Sequence, residues 1–287
     1  MTLRDLLTAT ADRLRQGHVE DARRTAEWIV EEVTGADRAA LYARPERPVD
    51  AAAAERAAAL TDRRLAGEPI QYVLGHADFY GLRLAVSPAV LIPRPETETV
   101  VEAALRRIRT LEAPWVLDVG TGSGAIALAV AHERPDAEVF AADVSADALA
   151  VAAANAERLG LGVTFVRSDA LRASFADQAP PSFHLVISNP PYVPEGERAG
   201  LQPEVRDHEP ETALFVPDGD PLVFYRALVE HAGRLLRPGG WLVAETHADH
   251  GAAVAGLWAA AGLLDAAVLP DLAGRDRIAV ARSPAGR

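Results

Sequence analysis

The chain has 287 residues, a net charge of −12 and a hydrophobic fraction of 49%, which is enough for one large domain or two ordinary ones with a sizeable core. Every basic residue is arginine and there is no cysteine, so a Schiff-base lysine, a P-loop lysine, disulfides, cysteine-zinc sites and a thiolate nucleophile are excluded. The acidic balance argues against a protein that lives on naked nucleic acid.

Residues 1–68 read as a small helical domain. Leu3, Leu6, Leu7 and Leu14 form one helical stripe ending at Gly17, and Ala22, Ala26, Ile29, Val30 and Val33 form a second ending at Gly35. A short third helix spans 38–43, before Pro45, and Asp50 is placed to cap a fourth that runs to Arg64, with Gly67 just past its end. The charges here, such as Arg23, Arg24, Glu31 and Glu32, read as solvated faces. Arg4 and Asp5 interrupt the first apolar stretch, which therefore does not read as a secretory signal. The longest nearly apolar run, 252–264, is too short to cross a bilayer. A soluble, cytoplasmic protein is the expectation.

Residues 69–90 read as a linker built on a β-hairpin. Short apolar runs at 70–73, 79–80 and 82–86 surround Gly75 and Gly81 and are taken as strands. Then comes Leu91-Ile92-Pro93-Arg94-Pro95-Glu96-Thr97-Glu98. Its prolines hold Arg94 extended, and Glu96 and Glu98 fall in the first turn of a helix that runs to about Arg109. The stretch is either a helix start with a stiff approach or a wall of the active site.

From Trp115 the pattern alternates. Strands are expected at 115–119, 138–142, 164–167, 183–187, 241–245 and 277–281, with helices at 125–133, 146–159, 221–236 and 251–261. This is the pattern of a doubly wound α/β sheet, here residues 91–287. Residues 194–219, rich in proline, glycine and carboxylates, read as a long loop over the site.

Asn189-Pro190-Pro191-Tyr192 follows the apolar run 183–187, at the strand end where an open α/β sheet places its chemistry. The prolines stiffen the turn and leave carbonyls as acceptors. Asn189 adds a side-chain carbonyl and Tyr192 a flat ring. The set suits a planar –NH2 group: Asn189 Oδ1 and the Pro190 carbonyl accept its two N–H bonds, Tyr192 packs on its π-face, and the nitrogen lone pair is left to meet an electrophile. No metal cluster is apparent; His247 and His250 lack a third ligand.

Val116-Leu117-Asp118-Val119-Gly120-Thr121-Gly122-Ser123-Gly124 is a strand followed by a glycine-rich turn, where a backbone can approach a ligand closely. Gly120, Gly122 and Ala125 also satisfy the dinucleotide pattern, and Asp143, about twenty residues on, suits ribose hydroxyls in either case. A nicotinamide oxidoreductase, however, has no tyrosine–lysine proton donor to draw on in a chain without lysine. Asp118 either anchors the turn or faces a cationic amino-acid group. Glycines at alternate positions resemble the S-adenosylmethionine loop of class I methyltransferases. Asp169 ends the third strand, either where an adenine amine lies or as a turn cap.

With these residues assembled, the chain resembles the release factor glutamine N5-methyltransferases. The resemblance runs through Gly67-Glu68-Pro69-Ile70-Gln71-Tyr72-Val73-Leu74-Gly75, Phe79-Tyr80-Gly81-Leu82, the stretch from Leu91 to Glu98, the turn from Asp118 to Gly124, Asn189 to Tyr192, and Glu209-Pro210. Asn-Pro-Pro-Tyr by itself is shared with adenine-N6 methyltransferases; the proline-arginine-proline stretch narrows the match. The resemblance implies a class I methyltransferase sheet with a small N-terminal helical domain joined by a β-hairpin. It also implies S-adenosylmethionine held by Gly120, Thr121, Gly122, Ser123, Gly124, Asp143, Asp169, Ala170 and Asn189. The Gly-Gly-Gln loop of a peptide-chain release factor is then the acceptor, held by Arg94, Asn189, Pro190, Pro191 and Tyr192, with the N-terminal helices binding the protein substrate. A monomer with no direct nucleic-acid partner is expected. Ala170 stands where many relatives carry an aromatic. The competing readings are a nucleic-acid adenine methyltransferase, which needs a cationic groove, and a non-catalytic translation-factor binder.

Overall fold

The computed structural model describes residues 1–177 and 182–285. The chain divides into two compact units, Met1–His76 with Gln202–His208, and Ala77–Leu201 with Glu209–Arg287.

The first unit is helical: α1 (Leu3–Gln16), α2 (Ala22–Thr34), α3 (Arg38–Ala43), α4 (Ala51–Leu65) and α5 (Ile70–Leu74). Thr2 and Asp5 form a reciprocal cap at the start of α1, and Asp37 and Asp50 accept the Ala40 and Ala53 N–H at 2.7 and 2.6 Å. Gly35 ends α2 in the left-handed conformation. Leu6, Leu14, Ile29, Val30 and Ala57 meet in one core; each fully buried leucine contributes roughly 1.5–3 kcal/mol of transfer free energy. Not all charges are solvated faces: Glu27 is buried, and Arg24 and Tyr42 both donate to it.

Residues 70–73 correct the sequence reading, since they form α5 and not a strand. An apolar run of four residues suits either state. The helix is decided by Pro69, whose carbonyl accepts the Val73 N–H, and by Gly75, whose φ of 79° closes the turn.

Next comes the hairpin β1 (His76–Phe79) and β2 (Leu82–Ala85), which belongs to the second unit from Ala77 on and turns on Tyr80 and Gly81, both with positive φ. There follow α6 (Pro95–Ile108), β3 (Trp115–Val119), α7 (Ala125–Glu133), β4 (Glu138–Asp143), α8 (Ala146–Leu159), β5 (Thr164–Arg167) and β6 (Phe183–Ser188). Next in the chain are β7 (Val193–Pro194), α9 (Pro203–His208), α10 (Glu211–Leu214), β8 (Phe215–Val216), α11 (Val223–Leu235), β9 (Leu236–Glu245), α12 (Gly251–Ala260), β10 (Leu264–Pro270) and β11 (Asp276–Arg282). The segment expected as a long loop thus carries two short helices and the β7–β8 pair, and α9 belongs to the first unit. Such pieces are too short to show a periodicity.

The main sheet has seven strands in the order β10-β11-β9-β6-β3-β4-β5. β9, β6, β3, β4 and β5 are parallel, and β11 and β10 complete one edge antiparallel. Neighbouring residues alternate between faces. Val116, Val243 and Ile278 join the core under α6 and α7, while Leu117, Leu242 and Ala279 join that under α11 and α12. No helix among the described residues is long and apolar enough to cross a membrane.

Candidate active site

From β3 the chain winds outward through β4 and β5, then returns to place β6 on the other side of β3. The strand order reverses there, and the crevice beyond the strand ends is where such sheets bind ligands. Ser188 closes the floor by donating to the Val119 carbonyl at 2.7 Å. The cleft holds about 1130 Å³, counting its open mouth. It is lined by Leu91, Pro93, Arg94 and Thr97, by most of the glycine-rich turn, and by Asp143, Asp169, Ala170 and residues 188–191.

In the turn, Gly120, Gly122 and Gly124 have φ of 75°, 55° and 83°, a region costly for other residues. Gly120 and Gly122 line the cleft, and a Cβ added to either would meet nothing within 4 Å, so their open faces leave room for a ligand. Thr121 and Ser123 line it too, but Gly124 does not. A Cβ on Gly124 would meet Leu128 at 3.0 Å and Ala152 at 3.2 Å, so this glycine lets the turn pack against α8. Asn155 of α8 is fully buried and donates to the Ser123 and Ala85 carbonyls, both at 3.0 Å.

The three acids separate. Asp118 is 0% exposed and is not a lining residue. Its Oδ2 accepts the Thr121 hydroxyl at 2.7 Å and the Ala127 N–H at 3.2 Å, so it anchors the turn. Burial pushes its carboxyl up to about 7. Asp143 faces the cleft. Its Oδ2 accepts the Gly122 N–H and its Oδ1 the Ser145 N–H, both at 2.9 Å, which leaves a lone pair on each oxygen for a ligand hydroxyl. Asp169 caps its own turn through the Leu171 N–H at 2.9 Å while also lining the cleft. The Ala170 carbonyl is taken by His231 at 3.0 Å, and Phe224 and Leu228 of α11 add apolar wall.

Asn189, Pro190 and Pro191, after β6, line the same cleft. Asn189 Nδ2 donates to Thr97 Oγ1 at 3.2 Å, and Thr97 donates to Glu245 Oε2 at 2.6 Å. Tyr192 is not a lining residue. Its hydroxyl donates to Glu245 Oε1 at 3.0 Å, and burial pushes its phenol well above the ordinary value. Glu245 is a residue that local sequence did not single out. β9 runs parallel to β6 with Ala244 opposite Ser188, so Glu245 comes level with Asn189. Burial raises its carboxyl, against the hydrogen bonds from Thr97 and Tyr192. The available signal was its position, at the carboxyl end of a core strand.

Arg94 reaches the cleft wall and donates to Glu209 Oε1, while Glu209 Oε2 accepts the Ile92 N–H at 3.1 Å. Glu209 is buried. Its two oxygens therefore hold the backbone and the side chain of the proline-arginine-proline approach together.

Two family descriptions match the chain, the PrmC N-terminal domain over residues 5–75 and the methyltransferase small domain over residues 100–202. The release factor glutamine methyltransferase of Chlorobaculum tepidum is 45% identical over 88% of this chain and 88% of its own length. That of Moorella thermoacetica is 45% identical over 96% and 97%. A solved methyltransferase from Pyrococcus furiosus superposes with a TM-score of 0.51 at 18% identity, covering 78% of this chain and 97% of that one, and supports the fold. With its helical unit, its class I sheet and this degree of identity along nearly its whole length, the chain belongs to the release factor glutamine methyltransferase family.

Proposed function

We propose that this protein transfers a methyl group from S-adenosylmethionine to the side-chain amide nitrogen of the glutamine in the Gly-Gly-Gln motif of peptide-chain release factors, in the cytoplasm. The observation that carries the reading is that the Asn189-Pro190 turn and the glycine-rich turn, at the ends of the adjacent strands β6 and β3, line one cleft. Asn189 Nδ2 is committed to Thr97, which leaves Oδ1 for an acceptor N–H.

The residues present fit the cofactor. Asp143 has lone pairs for the ribose hydroxyls, the open faces of Gly120 and Gly122 admit its amino-acid end, and Phe224 and Leu228 supply apolar contact for adenine where Ala170 is small. When bound, the sulfonium supplies an electrophilic methyl group. The chain's own part is to orient a poor nucleophile. Asn189 Oδ1 and the Pro190 carbonyl accept the two amide N–H bonds and stabilise positive charge growing on nitrogen, the reverse of an oxyanion hole. Arg94, held by Glu209, and Pro191 shape the entrance, and positioning lowers the barrier by several kcal/mol. Asp143→Ala should weaken cofactor binding by roughly 1–3 kcal/mol, the cost of a lost charged hydrogen bond. Calorimetry with S-adenosylmethionine and its demethylated product measures this; unchanged affinity would remove Asp143 from the site.

The acceptor test is transfer from labelled cofactor to an intact release factor, to its Gln→Ala variant in the Gly-Gly-Gln loop, and to duplex and single-stranded DNA. Label is expected on the intact factor alone, since an acidic chain does not neutralise phosphates. Label on DNA, or undiminished label on the Gln→Ala factor, overturns the reading. Residues 1–68 are assigned to holding the protein substrate. A short Gly-Gly-Gln peptide should therefore show a much higher KM than the whole factor at similar kcat, and equal KM values would contradict this role for the helical unit.

A further inference from the structure

At the edge of the cleft lies a largely buried polar cluster in which Thr97 and Asn189 line the cleft and Glu245 stands behind them. Glu245 is 1% exposed and Thr97 4% exposed. Both oxygens of Glu245 accept here, and a threonine hydroxyl has only one proton to give. Tyr192 donates to Glu245 Oε1 at 3.0 Å, and Thr97 donates its only proton to Oε2 at 2.6 Å. Thr97 Oγ1 can then only accept from its remaining neighbour, the Asn189 carboxamide at 3.2 Å. The carboxamide must turn Nδ2 toward Thr97, and Oδ1 is left facing the cleft. Rotating the group by half a turn would set two acceptor oxygens against each other with no proton between them.

We infer that Glu245 and Thr97 are positioning residues that fix the orientation of the Asn189 carboxamide, presenting Oδ1 and not Nδ2 to the acceptor nitrogen. The inference rests on the reading of Asn189 as the acceptor's partner. A carboxamide offers a donor and an acceptor of nearly equal shape, and a substrate –NH2 group is served only by the acceptor. With Nδ2 turned to the cleft, two donors would face each other. The buried carboxylate gives the donor chain its direction from a distance, without meeting the substrate. A residue that only filled space here would have no need of two acceptor oxygens, and one that took the amide proton would have to line the cleft, which Glu245 does not.

The experiment measures kcat, acceptor KM, cofactor affinity and thermal stability for Asn189→Ala, Thr97→Val, Thr97→Ser, Glu245→Gln and the Thr97→Val/Glu245→Gln double variant, all in the full chain with an intact release factor. Valine keeps the shape of Thr97 but removes its hydrogen bonds to Glu245 and Asn189. Glutamine places a donor on one of the two positions where Glu245 only accepts. Each of these two variants should lower kcat by about 10- to 100-fold, the usual cost of losing an outer partner that orients a site residue. Acceptor KM and cofactor affinity should change little. The double variant should be no slower than the slower single, because both break one chain, and Thr97→Ser should recover most of the rate. If Glu245→Gln proves too unstable to assay, Thr97→Val carries the test. Near wild-type kcat in Thr97→Val and Glu245→Gln alongside an impaired Asn189→Ala overturns the positioning role and leaves the role of Asn189 standing, and so do additive losses in the double variant. Near wild-type turnover in Asn189→Ala overturns both.

Discussion

Replacing Asn189 with alanine should lower kcat by about 10²–10³, the effect of removing one preorganised group aimed at developing charge. The side chain is committed on its donor end to Thr97 and, among the described residues, has no partner on its acceptor end, so truncation removes an interaction that strengthens as the amide nitrogen becomes positive. The same contact is weak in the ground state, because a neutral carboxamide N–H is an ordinary donor, and acceptor KM should therefore move little. Stability should fall by about 1 kcal/mol for the lost bond to Thr97, since Thr97 keeps its partner Glu245. Steady-state kinetics with the intact factor, together with thermal melts, provide the check. A variant that turns over at the wild-type rate would show that the Asn189 carboxamide does not contact the reacting amide.

The second large effect concerns Asp118 and pH. Its carboxyl is pushed from 3.8 to about 7 by complete burial, opposed by the Thr121 and Ala127 hydrogen bonds. In the unfolded chain it loses its proton near the ordinary value, whereas in the folded chain it keeps it to near neutrality. Between these values the folded state binds more protons, so stability falls as pH rises from about 4 to about 7 and levels off above that. A shift of this size corresponds to up to roughly 4 kcal/mol. Asp118→Asn keeps an oxygen for Thr121 and Ala127 and cannot ionise. Its stability relative to the parent protein should therefore rise steadily across that interval, other carboxyls cancelling in the difference. Urea unfolding of both proteins at pH 5 and pH 8 measures it, and parallel profiles would mean that Asp118 does not titrate with folding.

Much of the architecture was legible in the chain itself because the signals were local. The stripe from Leu3 to Leu14, the Asp50 cap and the left-handed Gly35 each act within a few residues, and the helices they mark lie where they were expected. The β–turn–α at Asp118 to Gly124 is equally local, since its glycines answer to backbone conformation. Where local signals were weak, the reading failed. Ile70–Leu74 is helical although its apolar run suits a strand. The edge strand Leu264–Pro270 was passed over because a short Ala- and Leu-rich segment carries no alternation that separates it from the end of the preceding helix. The strand expected at 241–245 begins earlier, at Leu236, and residues 237–240 lie inside β9, where an irregular register between Leu236 and Trp241 absorbs them.

The site divides in the same way. The sequence alone determined which residues stand at strand ends: the glycine-rich turn after β3, Asp143 at the end of β4, and Asn189 to Tyr192 after β6. Each is announced by residue types that only a turn of that kind requires. Only the tertiary structure decided how those groups are held. Thr97 and Glu245 are 148 positions apart, Arg94 and Glu209 115. Nothing near Glu245 in the chain distinguishes a buried hub from a solvated strand end. Its role follows from the parallel register that sets Ala244 against Ser188, and register between distant strands is fixed by the packing of both sheet faces at once, which no local stretch encodes.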